Sequence, residues 1–464
     1  MIRNLALFCL LIIFQSCDQP TTDSKQANIV LINIDDMGWK DVGFMGSQFY
    51  QTPNIDKLAT QGMVFTNGYA SAANCAPSRA SLMTGQWPSR HGIYTVGSSE
   101  RGKTETRRLI PVENTRTLDP TFKILPEILQ ENGYTTAHAG KWHLSDSPLE
   151  YGFTTNIGGG HNGYPASYFP PYKNVVIEQG KHEHLTDLIM EKTLEFVDTT
   201  SLPFFLNYAP YAVHTPIQPI EELMDNYGGI EDPNGQDNIA YATMVENLDR
   251  NIGLLIAKLK ANGQYDNTVF IFTSDNGGLY GITRQPPLRA GKGSYYEGGI
   301  RVPFFFVWQG KISGNKQSDL PMTNLDLLPT ILDMLQIDKA AYSLDGASLL
   351  PVLKEETNEI DRSLFWHFPV YLQAYKNDES QNRDPLFRTR PGSVVRQGQW
   401  KLHYYFEEDE VELYNLDKDI GERTNLADTN PAKTEEMLKL LKSYWQQTES
   451  PIPTEPNPAF ISGK

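Results

Sequence analysis

The chain of 464 residues is long enough for one large domain together with a smaller one. With 39% hydrophobic and 21% charged residues, and without a low-complexity tract or an internal repeat, its composition is that of an ordinary globular protein. The formal net charge of −16 argues against general nucleic-acid binding. An anionic substrate would therefore need positive charge concentrated in a pocket.

The first residues have the pattern of an export signal. Arg3 supplies a positive charge, and the apolar run over residues 5–14 is too short to span a bilayer. A small residue followed by Cys17 resembles a bacterial lipobox, in which the cysteine is lipidated and becomes N-terminal. We predict a lipoprotein-type signal peptide over residues 1–16, lipidation at Cys17 and a polar tether over residues 17–26; a plain cleaved signal is the alternative.

Strand-like and helix-like segments alternate through the next part of the chain, which predicts a layered α/β fold. Apolar runs predict strands over residues 28–34, 134–137, 203–209 and 268–273. Periodic apolar residues predict helices over residues 125–132, 185–197, 240–262 and 325–335. Several of the strands end in polar residues, and ligands of open α/β sheets bind beyond the carboxyl ends of the strands.

The pattern changes near residue 360. Residues 394–406 and 412–416 look like antiparallel strands, and residues 431–446 look like one amphipathic helix. We predict a large catalytic domain over residues 27–360 and a small sheet-plus-helix domain over residues 361–464.

Cys75 stands alone in the folded part of the chain. The chain has three cysteines, and Cys9 and Cys17 lie in the predicted export segment, so Cys75 has no expected disulfide partner. A solitary cysteine is usually a small core residue, and only its reactivity would make it special. Its context is Cys75-Ala76-Pro77-Ser78-Arg79, in which the proline at +2 and the arginine at +4 favour a role in chemistry over simple packing.

Two strand ends carry carboxylates. Asp35 and Asp36 follow the first predicted strand, and Asp275 and Asn276 follow another. Either pair alone is compatible with a turn. Together they offer oxygen ligands of the kind that Ca²⁺ or Mg²⁺ prefers, and clustered cysteines and histidines that would suit zinc are absent from the sequence around them.

Basic residues occur at three further loops. Lys141 and His143 follow a short predicted strand and face the same way on an extended chain. His214 follows another strand, and Lys292 lies in a glycine-rich segment whose backbone can approach a ligand closely. A structural role for each is the alternative that the isolated pattern leaves open.

These segments, in this order and spacing, resemble those of the type I, formylglycine-dependent sulfatases, in particular exported polysaccharide sulfatases of Bacteroidetes. The resemblance covers nearly the whole chain after the export segment, and the departures are small: Val213 stands where proline is common, and Ser145 where glycine is common. It implies an alkaline-phosphatase-like fold, with a large mixed sheet between helices and a small C-terminal antiparallel sheet-and-helix domain. The segments that carry the resemblance are Asp35-Asp36, Cys75-Ala76-Pro77-Ser78-Arg79, Gly140-Lys141-Trp142-His143, His214-Thr215-Pro216, Ser274-Asp275-Asn276-Gly277 and residues 291–303.

The resemblance also implies the roles of the site residues. Cys75 would be converted to formylglycine by a maturation enzyme, and its hydrate would attack the sulfur of the substrate. Ca²⁺, in preference to Mg²⁺, would be bound by Asp35, Asp36, Cys75, Asp275 and Asn276. Arg79 would orient the nucleophile, and Lys141, His143, His214 and Lys292 would surround the sulfate. Whether His214 or Lys292 is the general acid stays open.

The expected substrate is a sulfated polysaccharide or oligosaccharide met outside the cytoplasm, for instance ulvan or carrageenan from algae or an animal glycosaminoglycan. The protein would be periplasmic or on the cell surface, anchored to the outer membrane by its N-terminal lipid. Candidate subsites are the tyrosine-rich residues 163–173, His367, and the basic residues Arg101, Lys103, Arg107, Arg108 and Arg116. The alternatives are a phosphonate or phosphate ester hydrolase of the same superfamily and a lipoprotein that binds sulfated glycans without turnover.

Overall fold

The computed structural model describes residues 26–201, 203–232, 234–375 and 381–462. The predicted signal peptide, the lipidation site Cys17 and all but the last residue of the predicted tether lie outside these ranges. Within the described ranges, no helix has the length and apolar character required to span a lipid bilayer.

The described residues form sixteen strands and ten α-helices. The strands are β1 (Asn28–Ile34), β2 (Met63–Phe65), β3 (Gly68–Tyr69), β4 (Thr135–Gly140), β5 (Thr155–Ile157), β6 (Phe204–Ala209), β7 (Thr268–Ser274), β8 (Phe305–Trp308), β9 (Lys316–Ser318), β10 (Met322–Thr323), β11 (Leu364–Phe368), β12 (Leu372–Gln373), β13 (Phe387–Thr389), β14 (Gly392–Gln397), β15 (Trp400–Tyr405) and β16 (Glu410–Asn415). The helices are α1 (Pro53–Ala59), α2 (Cys75–Thr84), α3 (Pro88–His91), α4 (Leu125–Glu131), α5 (Leu185–Thr199), α6 (Ile239–Ala261), α7 (Glu297–Ile300), α8 (Leu327–Met334), α9 (Leu350–Leu353) and α10 (Pro431–Gln447).

An eight-stranded mixed sheet forms the centre of the large part of the molecule. Its strand order is β5-β4-β6-β1-β7-β8-β2-β9. Strands β5, β4, β6, β1 and β7 are mutually parallel, whereas β8 runs antiparallel to both β7 and β2. This arrangement confirms the predicted large mixed sheet.

The central strand β1 is buried on both faces, as its continuous apolar sequence predicts. Because side chains alternate along a strand, Val30 and Ile32 pack into one core with α1, α5 and α6. Ile29 and Leu31 pack into a second core with α2, α4 and α8. The sheet is therefore covered by helices on both faces, which leaves the strand ends as the place for a site.

A second, antiparallel sheet of order β11-β14-β15-β16 begins at Leu364. Helix α10 covers one of its faces, with Met437 and Leu441 in a common core with Val395 and Leu402. The expected C-terminal sheet and helix are confirmed. The predicted strand over residues 394–406 is a hairpin of β14 and β15, because the chain turns at residues 398–399.

A buried ionic cluster joins the second sheet to the segment before β8. Lys401 on β15 contacts Glu297 at 2.9 Å and Glu422 at 3.0 Å, and all three side chains are fully buried. Glu422 also accepts hydrogen bonds from His403 (2.8 Å) and from the backbone nitrogen of Glu297 (2.6 Å). The hydroxyl of Tyr69 donates to Glu297 at 2.6 Å.

Electrostatics show how strongly this cluster depends on its cations. Burial alone would raise the pKa of Glu297, but Lys401 and Arg301 outweigh burial and lower the pKa to about 2. Glu297 is the first residue of α7, which follows the segment that carries Lys292. The cluster therefore fixes one end of that segment against the second sheet.

Replacing Lys401 by methionine should destabilise the protein strongly, because it leaves Glu297 and Glu422 buried without their shared cation. We expect a loss of about 3–5 kcal/mol in the free energy of unfolding, measured by urea titration. Lys439→Met is the matched control, since the Lys439 side chain is 73% exposed and its ion pair with Glu435, at 3.1 Å, lies at the surface. An unchanged midpoint for Lys401→Met would contradict this account of the cluster.

Candidate active site

Two pairs of polar residues meet at the carboxyl ends of neighbouring strands. The register of β1 and β7 pairs Ile34 with Ser274, so the residues that follow each strand become neighbours. The backbone nitrogen of Asp36 donates to Asp275 Oδ1 at 3.2 Å, and Asn276 Nδ2 donates to Asp36 Oδ1 at 2.8 Å. These side chains are buried. The strand register therefore creates a compact acidic pocket.

The candidate nucleophile begins helix α2 at the edge of this pocket. Cys75 is 2% exposed, and its Sγ lies 3.7 Å from Asp35 Oδ1 and 3.8 Å from Asp36 Oδ1. One helical turn later, Arg79 Nε donates to Asp275 Oδ2 at 2.7 Å. Arg79 also donates to the backbone oxygen of Lys141 at 2.9 Å, so it links the helix to two strand ends.

The thiol of Cys75 is not activated as it stands. Burial raises the pKa of the thiol to about 12, although the nearby Lys141 and Lys292 act in the opposite direction. A cysteine nucleophile needs a lowered pKa because the thiolate is the reactive form. Cys75 is therefore well placed for a nucleophile, but its unmodified thiol is too weakly ionised to act as one.

Each of the two carboxylates after β1 has its own lysine. Lys141 Nζ lies 2.8 Å from both oxygens of Asp35, and Lys292 Nζ lies 2.7 Å from Asp36 Oδ1 and 2.8 Å from Asp36 Oδ2. The side chain of Lys141 is fully buried and that of Lys292 is 10% exposed. The two lysines therefore bring positive charge into this acidic pocket and balance the carboxylates after β1.

The two lysines act on carboxylates in different surroundings. Burial, together with the negative charges of Asp275 and Asp36, raises the pKa of Asp35 to about 7 against the effect of Lys141. Burial also disfavours charge on Asp36, but Lys292 and His214 outweigh it and lower the pKa. At Asp35, the nearby cations therefore do not fully offset burial and the repulsion from the other two carboxylates.

The two histidines lie in the same pocket. His214 Nε2 is 3.6 Å from Asp36 Oδ2, and the other ring nitrogen, Nδ1, lies 2.7 Å from the backbone oxygen of Thr215. Burial, with repulsion from Lys292, lowers the pKa of His214 to about 3. Burial and the neighbouring cations also hold the pKa of His143 well below its usual value.

Three polar atoms of the pocket are buried without a hydrogen-bond partner among the described residues: Asn276 Oδ1, His143 Nδ1 and one terminal nitrogen of Arg79. Buried polar atoms normally have partners, so these three mark positions where an incoming group would be bound. An unpartnered amide oxygen next to carboxylates suits a hard cation, and the guanidinium nitrogen suits an anion or a hydroxyl oxygen.

The donor set fits a divalent cation. One ligand atom from each of Asp35, Asp36, Cys75 and His214 lies within 4.8 Å of the others. Asp275 and Asn276 contact Asp36 directly, so the predicted ligand set is assembled in one place. A cation would also relieve the repulsion among the buried carboxylates.

The predicted basic subsite residues differ in how accessible they are to a ligand. Arg107 is 5% exposed and donates to the backbone oxygens of Glu100 and Gly102, both at 2.9 Å, so its role is structural. Arg108 lies over the ring of Phe460. Of these two positions, only Arg107 is withdrawn from the predicted basic cluster, because the side chain of Arg108 is 48% exposed.

His367 does not line the pocket, and that expectation was wrong. The ring is buried between Ser393 Oγ at 2.7 Å and the backbone oxygen of Pro451 at 3.0 Å. In the tyrosine-rich segment over residues 163–173, Tyr168 is buried and donates to the backbone oxygen of His214 at 2.9 Å.

The sequence did not point to the residues of strand β13, in a separate two-stranded sheet with β12, that hold the segment around Lys292. Arg388 donates to the backbone oxygen of Lys292 at 3.1 Å, and the hydroxyl of Thr389 donates to that of Gly293. A Cβ at Gly293, whose φ is +87°, would also lie 2.8 Å from the guanidinium of Arg388. No local pattern signals these contacts, because the partners are 96 residues apart.

Comparisons with known proteins all point to sulfatases. The family described as Sulfatase matches residues 27–337, and the family described as N-sulphoglucosamine sulphohydrolase, C-terminal, matches residues 291–450. A sulfatase of Formosa agariphila is 31% identical, with 93% of this chain and 90% of that protein covered. Human N-acetylgalactosamine-6-sulfatase is 28% identical, with 92% and 87% covered.

The crystal structure of Ps i-CgsB in complex with k-i-k-neocarrahexaose is similar along almost its full length. It superposes with a TM-score of 0.75 at 30% identity, and the match covers 93% of this chain and 95% of that one.

The burial of Cys75 predicts an unreactive thiol. In protein whose intact mass shows an unmodified Cys75, labelling with a disulfide reagent at pH 8 should detect no more thiols than in Cys75→Ala. The thiolate fraction would be only about one in ten thousand for a pKa near 12. In denaturant, the parent should show one additional thiol over the variant. Labelling of native Cys75 within minutes would contradict the burial and the raised pKa.

Proposed function

The chain belongs to the sulfatase family, and we propose that it hydrolyses sulfate esters of a sulfated carbohydrate, an algal polysaccharide such as carrageenan or ulvan or oligosaccharides from it. The observation that carries the proposal is the position of Cys75, in contact with Asp35 and Asp36, the carboxylates that Lys141 and Lys292 hold. The carbohydrate class is supported by the relative solved with k-i-k-neocarrahexaose and by the relatives named N-acetylgalactosamine-6-sulfatase.

The proposed nucleophile is formylglycine, formed from Cys75 by a formylglycine-generating maturation enzyme. As its hydrate, this group supplies one hydroxyl that can attack sulfur and a second that permits release of sulfate without a further attack by water. The chain's own residues position it: Arg79 is held by Asp275 and by the backbone of Lys141, and its remaining terminal nitrogen makes no hydrogen bond but lies 3.9 Å from Asp35 Oδ1. His143 lies in the same pocket with an unpartnered Nδ1, suited to exchanging a proton there.

The proposed cation is Ca²⁺, bound by the oxygens of Asp35, Asp36, Asp275 and Asn276 and next to residue 75. An all-oxygen donor set of carboxylates and an amide suits Ca²⁺ and does not suit zinc. When bound, the cation supplies charge that offsets the sulfate oxygens and favours ionisation of the attacking hydroxyl.

The lysines and histidines would surround the sulfate. Lys141 and Lys292 supply positive charge from fixed positions, since each is already held against a carboxylate. When the bond between sulfur and the alcohol oxygen breaks, the alcohol needs a proton, and His214 and Lys292 are the two candidates. His214 lies 3.6 Å and Lys292 2.7 Å from the carboxylate of Asp36. Either side chain could therefore donate the proton from the same side of the pocket.

We further propose that the protein is exported and lipid-anchored at Cys17, in the periplasm or on the cell surface. This proposal depends on the sequence pattern of the first residues alone. It fits a substrate that is met outside the cytoplasm.

The experiment for the proposed function is the release of free sulfate from a panel of carrageenan, ulvan and glycosaminoglycan oligosaccharides. The protein is co-expressed with a formylglycine-generating enzyme and run beside two variants. Cys75→Ala should lose about a thousandfold or more of the activity because it removes the nucleophile. Cys17→Ala should keep the activity, because it removes a cysteine outside the site.

Release by parent and Cys75→Ala alike would contradict the proposed nucleophile. Hydrolysis of phosphate or phosphonate esters in place of sulfate esters would identify the alternative enzyme class. Binding of sulfated glycan without turnover, with residue 75 shown by mass to be an aldehyde, would identify a glycan-binding lipoprotein.

Cation binding has its own test in thermal unfolding. After chelation, Ca²⁺ should raise the unfolding temperature by several degrees, since a ligand at about a hundred times its Kd stabilises by about 2.7 kcal/mol. Mg²⁺ should raise it less, and Asp275→Asn should abolish the response. Asp198→Asn is the control, because that carboxylate pairs only at the surface with Lys258 (2.9 Å) and Asn262 (3.1 Å). An equal response in Asp275→Asn would place the cation elsewhere.

A further inference from the structure

Two aromatic rings are exposed at the candidate active site. Tyr164 is 52% exposed and Tyr375 is 45% exposed, whereas most of the large aromatic side chains of the described residues are buried. Single exposed apolar residues are common and need no explanation by themselves. These two rings need an explanation because each lies beside a residue of the same pocket.

Tyr164 borders the histidine side of the pocket. The segment before it is fixed against His143, whose backbone nitrogen donates to the oxygen of Gly160 at 2.9 Å. Gly163 approaches so closely that a Cβ there would lie 2.3 Å from the His143 ring. The ring of Tyr164 then lies nearly parallel to that of His214, with 6.1 Å between centroids and 16° between planes.

Tyr375 borders the lysine side and comes from the C-terminal part of the chain. Its ring lies against the guanidinium of Arg388, 3.7 Å from the Cζ atom to the ring centroid. The same guanidinium donates to the backbone oxygens of Lys292 and Gln373, both at 3.1 Å. Arg388 therefore holds the ring of Tyr375 next to the segment that places Lys292.

The two rings consequently border one pocket, because His214 and Lys292 both contact the carboxylate of Asp36. A sulfate ester that enters this pocket brings its sugar ring to the entrance. Pyranose rings have faces of C–H groups, and a flat aromatic face covers such a surface well.

Resting on the sulfatase function proposed above, we propose that Tyr164 and Tyr375 form a sugar-binding subsite that packs against the pyranose ring carrying the sulfate ester. The net charge of the protein supports uncharged contacts at this place. The chain as a whole carries a formal net charge of −16, which disfavours a polyanionic glycan, so contacts with uncharged rings would add affinity that does not depend on charge.

The experiment measures binding of the sulfated oligosaccharide that the parent hydrolyses fastest. It uses calorimetry in the Cys75→Ala background, where the ligand is not consumed. Tyr164→Ala and Tyr375→Ala should each weaken binding about tenfold, which corresponds to about 1.4 kcal/mol. Tyr164→Phe and Tyr375→Phe should retain most of the affinity, because they keep the ring. Leu254→Ala is the control, since Leu254 is 54% exposed on α6 and contributes to neither ring contact.

A second measurement separates stacking from disturbance of the pocket. Inhibition of the matured enzyme by inorganic sulfate should stay within about twofold in the alanine variants, since the anion occupies the pocket without reaching the rings. Weaker inhibition in parallel with weaker glycan binding would show that His214 or Lys292 has moved, and it would overturn the subsite.

The remaining outcomes are also decisive. Alanine variants that bind like the parent, with the parent releasing sulfate, would overturn the subsite and leave the sulfatase function intact. Phenylalanine variants as weak as the alanine variants would assign the effect to the hydroxyls and overturn ring packing. A parent that releases no sulfate from any glycan would overturn the proposed function, and the subsite with it.

Discussion

The site depends on one constraint, the parallel and in-register pairing of β1 with β6 and β7. Ile34 lies opposite Ser274, so Asp35 and Asp36 leave the sheet beside Asp275 and Asn276. Strand β6 joins β1 to β4, whose end carries Lys141. A slip of one residue would reverse the faces of β1 and move its carboxylates about 3.3 Å along the strand. The two hydrophobic cores prevent such a slip because they require alternate residues of β1 on opposite faces.

The pocket created by this register contains buried charge in near balance. Asp35, Asp36 and Asp275 are matched by Lys141, Lys292 and Arg79. Buried charges are costly unless they are paired, so each side chain has a fixed position before any ligand binds. A divalent cation and a monoanionic sulfate ester would together add a single positive charge to this balance. Preorganisation of this kind is what electrostatic catalysis requires.

The C-terminal part of the chain belongs to the site as much as the large sheet does. Lys292 lies in a segment whose backbone is held by Arg388 and whose following helix is fixed through Glu297 to Lys401. Clusters of buried residues combine side chains from both parts of the chain, such as Trp87 with Leu441 and Tyr69 with Trp366. The predicted boundary at residue 361 therefore separates two sheets in sequence, but not two independent functional units. The same arrangement brings an aromatic ring of the C-terminal part to the entrance of the pocket.

The sequence by itself predicted the α/β fold class, the buried strand β1, five of the ten α-helices to within two residues and, through its resemblance to the sulfatases, the residues that form the pocket. It did so because apolar periodicity is local and because the polar residues follow the strands directly in the chain. Only the tertiary structure decided which charges pair, that Arg107 and His367 are structural, and that Arg388, Glu297 and Lys401 position the segment around Lys292. The charge pairs and the contacts around Lys292 join residues that are distant in the chain, such as Lys292 with Arg388 and Glu297 with Lys401, and the roles of Arg107 and His367 depend on burial; no local pattern encodes either.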